Sequence, residues 1–141
     1  MATVINFEEL NPAAKFDFET DKKGKVISWV KIRPYTTEIL NIIRGECVRQ
    51  EVEYKKAGKF GQLQRIEYTK TDDEKMRHML WDYVICDWGG FVDKSGAPVP
   101  CLTEHKIKFM SGWPVFSAFI DKCLEKLTPD VNEAIKESEK N

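Results

Sequence analysis

Two carboxylates, Asp87 and Asp93, flank a Trp88-Gly89-Gly90 break, and in principle such a pair can do general acid/base work. Their places in the chain point to a structural use instead. Asp87 can accept from backbone N–H groups freed at the break, and Asp93 can open a turn by an Asx-type bond. The two histidines, His78 and His105, lie in no HExxH or HxE context. The four cysteines, Cys47, Cys86, Cys101 and Cys123, are widely separated, with no CxxC pair and no metal-ligand spacing. They read as small buried hydrophobes with reduced thiols, which places the chain in the cytoplasm. No GxSxG and no P-loop occurs, and Gly89-Gly90 follows a predicted helix where a nucleotide loop follows a strand. The expectation is a non-enzyme with no cofactor and no metal.

Charge and hydropathy narrow the remaining classes. Lys plus Arg is 22 and Asp plus Glu is 23, a net charge of -1, so the basic excess of a protein that lives on phosphate backbones is absent. Basic residues between Arg65 and Arg77 are interleaved with Glu67, Asp72, Asp73 and Glu74, the pattern of a solvated mixed-charge face. The N-terminus, MATVINFEELNP, has no basic flank and no apolar run of the kind a secretory signal carries, and no stretch is apolar for long enough to span a bilayer. Neither nucleic acid nor membrane is an expected partner. What stands out is large apolar surface: Trp29, Trp81, Trp88 and Trp113. Such residues serve core packing or anchor a partner surface, and an apolar C-terminal helix with a second stripe can bind another helix in a groove.

The elements that would position these residues follow from periodicity. Residues 1–14 read as a weakly ordered arm with Phe7 and Leu10 as its large anchors. Residues 15–136 read as a single α+β domain, and 137–141 as a polar tail. Lys15–Thr20 alternates, Gly24 sits in a turn, and Val26–Pro34 resumes strand character, which together predict a β-hairpin. Ile39, Leu40, Ile43, Cys47 and Val48 recur at helical spacing and predict a helix from Thr36 or Thr37 to about Lys55. Gln62–Lys70 alternates as a third strand would. Thr71 with Glu74 forms a capping box for a central helix that runs through Trp88 to a stop at Gly89-Gly90. Asp93–Gly96 turns a tiny hairpin, Thr103 caps a short helix to about Met110, and Pro114 takes the first position of an amphipathic helix bearing Phe116, Phe119, Ile120, Cys123, Leu124 and Leu127. Thr128-Pro129-Asp130 starts a last helix with Val131, Ala134 and Ile135. The predicted architecture is an N-terminal hairpin, with a possible third strand, and a body of four or five helices.

The order of these features resembles the tail assembly chaperones of long-tailed bacteriophages and prophages. Three segments carry the likeness: Trp29-Val30-Lys31-Ile32-Arg33-Pro34-Tyr35-Thr36, Val84-Ile85-Cys86-Asp87-Trp88-Gly89-Gly90, and Val92-Asp93-Lys94-Ser95-Gly96-Ala97-Pro98-Val99-Pro100. Gly89 stands where many relatives carry an acidic residue. The resemblance implies a non-enzymatic protein that binds the phage tape-measure protein and keeps it soluble while tail-tube subunits polymerise around it. It also implies a homo-oligomer in the bacterial cytoplasm that is absent from the finished tail. On that reading the contacts fall to Trp113, Phe116, Phe119 and Ile120, with Trp29 on the hairpin. The alternative is a structural morphogenesis protein, a tail terminator or head–tail joining piece, retained in the particle.

Overall fold

The computed structural model describes residues 2–128 and shows an α+β protein. In chain order the elements are β1 (Ala14–Thr20), β2 (Val26–Ile32), α1 (Thr37–Glu46), β3 (Val48–Ala57), β4 (Gln62–Thr71), α2 (Asp73–Val84), β5 (Ile85–Gly89), α3 (Thr103–Gly112) and α4 (Pro114–Leu127), preceded by a 3-10 turn at Phe7–Glu9. The chain divides into two compact units. One joins the chain up to Thr36 with the chain from Trp81 onward; the other is Thr37–Leu80, inserted between β2 and β5. The helix expected at Val131–Ile135 and the tail at 137–141 lie outside the described residues.

The first unit is built on an antiparallel sheet in the order β1-β2-β5. Alternation decides which face is buried: Ser28, Val30 and Ile32 point inward, while Ile27, Trp29 and Lys31 alternate outward and stay half-buried or exposed. Val30 and Ile32 are fully buried and join Val84, Ile85, Trp88, Phe91, Met110, Phe116, Ile120 and Cys123 in one core. The expected hairpin is therefore present, but its second strand is central. Its other neighbour is β5, through Val30↔Trp88, Lys31↔Asp87 and Ile32↔Ile85.

Pairing with β5 overturns the central helix running through Trp88. The helix ends at Val84, and Ile85–Gly89 is extended. Ile85 and Trp88 gain more by entering the sheet core than by prolonging a helix, since both are buried there. The start of α2 also differs: Asp72, not Thr71, caps it, accepting from Lys75 N at 3.1 Å. Beyond Gly90 the small hairpin exists as a single bridge, Val92↔Pro98. Its turn is held by Asp93 Oδ1, which accepts from Ser95 N at 2.8 Å, Ser95 Oγ at 2.6 Å and Ala97 N at 3.1 Å. Those donors, Ser95 Oγ first, hold the Asp93 carboxyl below its ordinary range. Asp87 Oδ1 accepts from Trp88 N at 2.9 Å. Both carboxylates thus bond the local backbone.

At the N-terminus Phe7 and Leu10 are exposed, so neither is an anchor. Asn11 takes that role: its amide donates to Pro34 O at 2.6 Å and to Tyr83 Oη at 3.2 Å.

In the second unit the helix expected to reach Lys55 ends at Glu46, and the chain turns extended at Val48. Gln62–Thr71 is a strand as read, but it pairs with β3 and not with the N-terminal hairpin. Ile43 and Cys47 are buried, Cys47 Sγ lies 3.7 Å from Met79 Sδ, and Asp72 N donates to Cys47 O at 2.8 Å.

Candidate partner-binding groove

The segments 29–36, 84–90 and 92–100 are tied together in the first unit. Arg33 N donates to Val84 O at 3.0 Å and Arg33 Nε to Tyr83 O at 2.9 Å, so the Arg-Pro junction grips the last turn of α2. The Arg33 guanidinium also sits 3.9 Å from the Tyr83 ring centre, a cation–π contact. Trp88 Nε1 donates to Val99 O at 2.8 Å, tying β5 to the Pro-rich exit. Gly89 is fixed by the sheet: a Cβ there would lie 2.5 Å from Trp29 Nε1. Trp29, half-buried, therefore lies flat over Gly89, with Lys15 Nζ 4.5 Å from its ring centre. Among the expected contact residues, Trp29 belongs to this outer face of the sheet.

The remaining contact candidates divide on α4. Phe116 is 0% and Ile120 1% exposed, so the expectation that they meet a partner is corrected: both are core. Their spacing is what places them there, since they share the stripe that faces the sheet together with Cys123. Trp113 is half-buried and stacks on Phe116 with centroids 5.6 Å apart. Phe119 is half-buried, one step round the helix, and reaches open surface.

That surface is a groove of about 540 Å³ between β1 and α4, lined by Phe18, Glu19, Val115, Ala118, Phe119 and Lys122. Residues 115, 118, 119 and 122 stand at i, i+3, i+4 and i+7, a single helical face. On α4 this face carries Val115, Ala118 and Phe119 with Lys122 at its end. Phe18 was not singled out from the sequence. It lies at an irregularity in the β1–β2 pairing, where Asp17 faces Trp29 and the next pair is Glu19 with Ser28. A bulge on an edge strand re-aims a side chain, and here Phe18 packs edge-on against Phe119, centroids 5.0 Å apart. Val115 is 65% exposed, so the groove has an apolar wall open to solvent. Glu19 and Lys122 supply one charge of each sign on its lining.

Burial pushes the Cys101 and Cys123 thiols up to about 11, so both are protonated at neutral pH and poor nucleophiles. His105 Nδ1 is 2.8 Å from Pro100 O. Among the described residues no three His, Cys, Asp or Glu side chains gather as metal ligands do, and no helix is long and apolar enough to cross a membrane.

Lys106 is the one buried charged residue among those described. Its Nζ donates to Asp82 O and Asp82 Oδ1, both at 3.1 Å. Thr103, expected as a helix cap, instead donates its hydroxyl to Asp82 Oδ1 at 2.8 Å. Burial alone would raise the Asp82 carboxyl, but the Thr103 and Lys106 hydrogen bonds and the Lys106 charge outweigh it and hold it below its ordinary range. A carboxyl lowered on folding contributes stability above its unfolded pKa, and that contribution fades as pH falls through the folded value. Lys106→Met should therefore cost about 1–2 kcal/mol at neutral pH in urea unfolding, less than a fully buried pair because Asp82 can turn to water. The deficit should shrink in acid, once Asp82 is protonated in both proteins. A deficit that grows on acidification would contradict this account.

No protein-family model, curated protein or solved structure matches this chain.

Proposed function

We propose that this chain is a phage tail assembly chaperone, a non-enzymatic protein of the bacterial cytoplasm that binds the tape-measure protein and keeps it soluble during tail assembly. The observation that carries the reading is the groove between β1 and α4. Its apolar floor, open side and single pair of opposite charges suit one face of an amphipathic helix. A long helical protein with exposed apolar stripes aggregates unless they are covered. A groove with one solvent-exposed wall covers such a stripe through many modest contacts and can release it. The resemblance in the three scaffold segments supplies the identity of the partner.

The test is co-expression with the tape-measure protein of the same genome, followed by sedimentation. The partner should stay soluble and co-purify only when this chain is present. Val115→Glu and Ala118→Glu change exposed groove residues, so they should leave the fold intact while weakening capture by about tenfold or more, because each sets an uncompensated charge into an apolar contact. If the tape-measure protein precipitates equally with and without the chain, the chaperone reading fails. Recovery of the chain from purified particles would then favour a structural morphogenesis protein.

A further inference from the structure

The second unit carries a surface that the groove does not explain. Strands β3 and β4 form a two-stranded ribbon of ten consecutive pairs, from Val48↔Thr71 to Ala57↔Gln62, with no bulge. Both pairings of the other sheet contain irregularities. Neither ribbon strand contains proline or glycine. Among the described residues the two strands pair only with each other, so each has an open outer edge. A long regular edge offers a row of unpaired N–H and C=O groups to another strand, and a two-stranded ribbon gains independent stability when further strands join it.

We propose that β4 pairs antiparallel with β4 of a second copy of this chain, about a two-fold axis at Ile66, to give a four-stranded sheet. The charges select this register on β4, and the longer overlap favours this edge over that of β3. With the axis at Ile66, Arg65 of each copy stands opposite Glu67 of the other, twice by symmetry. Moving the axis to Arg65 or to Glu67 sets that charge against its own copy. Arg65 and Glu67 already point to one face, 3.0 Å apart and both well exposed, so the second copy completes an alternating four-charge cluster. On the opposite face Ile66, the one position of β4 that is not exposed, meets its own copy, and Tyr68 meets Gln64. On the β3 edge an axis at Val52 opposes Glu51 to Glu53 and Arg49 to Lys55, and the registers that do pair opposite charges, at Tyr54 (Glu53 with Lys55) and at Gln50 (Arg49 with Glu51), overlap less of the strand than the axis at Ile66, which aligns residues 62–70.

The inference stands on the ribbon alone, and either it or the groove reading can fail without the other. Sedimentation velocity of the full chain across a concentration series reads the dimer dissociation constant. Arg65→Glu should raise that constant by about tenfold or more, since two attractive cross-strand pairs become repulsive. Glu67→Arg should do the same, and the double exchange R65E/E67R should restore association, which a merely damaged ribbon could not do. Ile66→Cys under mild oxidation should yield a covalent dimer through the introduced thiol, while the parent chain does not. A chain that stays monomeric throughout the series, single exchanges that leave the constant unchanged, or a double exchange that fails to restore it would each overturn the proposal.

Discussion

Gly90→Ala should abolish the cooperative unfolding of the first unit or lower its urea midpoint drastically. Gly90 has φ +84, a conformation that L side chains rarely adopt, and that alone costs about 1–2 kcal/mol. The larger effect is steric. A Cβ at this position would lie 1.9 Å from Ile27 O and 2.8 Å from Ser28 Cα. Both are backbone atoms of the central strand, so no side-chain rotation relieves the overlap. Either β5 leaves its register on β2 or the strand itself shifts, and each route disturbs Val30, Ile32 and Trp88 together. The total should exceed about 4 kcal/mol, a large part of the roughly 5–15 kcal/mol that holds a domain. Gly96 provides the internal control. It has the same φ of +84 but nothing within 4 Å of its Cβ position, so Gly96→Ala should lose only about 1 kcal/mol. Equal losses at the two sites would mean that Gly90 does not approach the Ile27 carbonyl as described.

The contrast between Gly90 and Gly96 also shows what a one-dimensional reading can and cannot see. Both glycines follow from local chemistry as break and turn residues, but only the sheet pairing reveals that one of them is a backbone contact. The same divide runs through the fold. The β1–β2 hairpin, the start of α4 at Pro114 and its core stripe are local patterns, and they were legible. The segment Val48–Lys56 carried two periods at once. Cys47 and Val48 extend the helical series of α1, while Val48, Val52 and Tyr54 alternate with Arg49, Glu53 and Lys55 as a strand does. Pairing along the whole of β4 decides for the strand, and that pairing is not local. Ile85–Gly89 was misread for the same reason: five residues after a helix are too short to show a period, and their register with β2 is what extends them.

The candidate groove was half legible. Of its helical wall, Phe119 belongs to the amphipathic series legible in α4, whereas Val115 and Ala118 do not stand out from the sequence. Its other wall depends on a bulge that turns Phe18 toward Phe119, and no residue type announces that. Lys106 was also silent, because a lysine in a short helix reads as exposed until Asp82 is brought to it by the fold.

Phe116 and Phe119, three residues apart, should behave as different kinds of residue, and measuring both tests the division of α4 into an inner and an outer face. Phe116 has no exposed surface and lies at the centre of an aromatic cluster, with ring centroids 5.3 Å from Phe109, 5.6 Å from Trp113, 5.8 Å from Phe18 and 6.0 Å from Trp88 and Phe91. Phe116→Ala removes a full ring from the middle of this cluster and leaves a cavity among its aromatic neighbours. The expected loss is about 3–5 kcal/mol by chemical denaturation. Phe119 is half-buried and packs on Phe18 at the groove wall, so Phe119→Ala should cost about half as much or less. Under the chaperone reading it should nonetheless weaken capture of the tape-measure protein per folded molecule, whereas Phe116→Ala should act mainly by reducing how much chain is folded. Comparable stability losses at the two positions would remove the distinction between core and groove on which the assignment of that face to a partner rests.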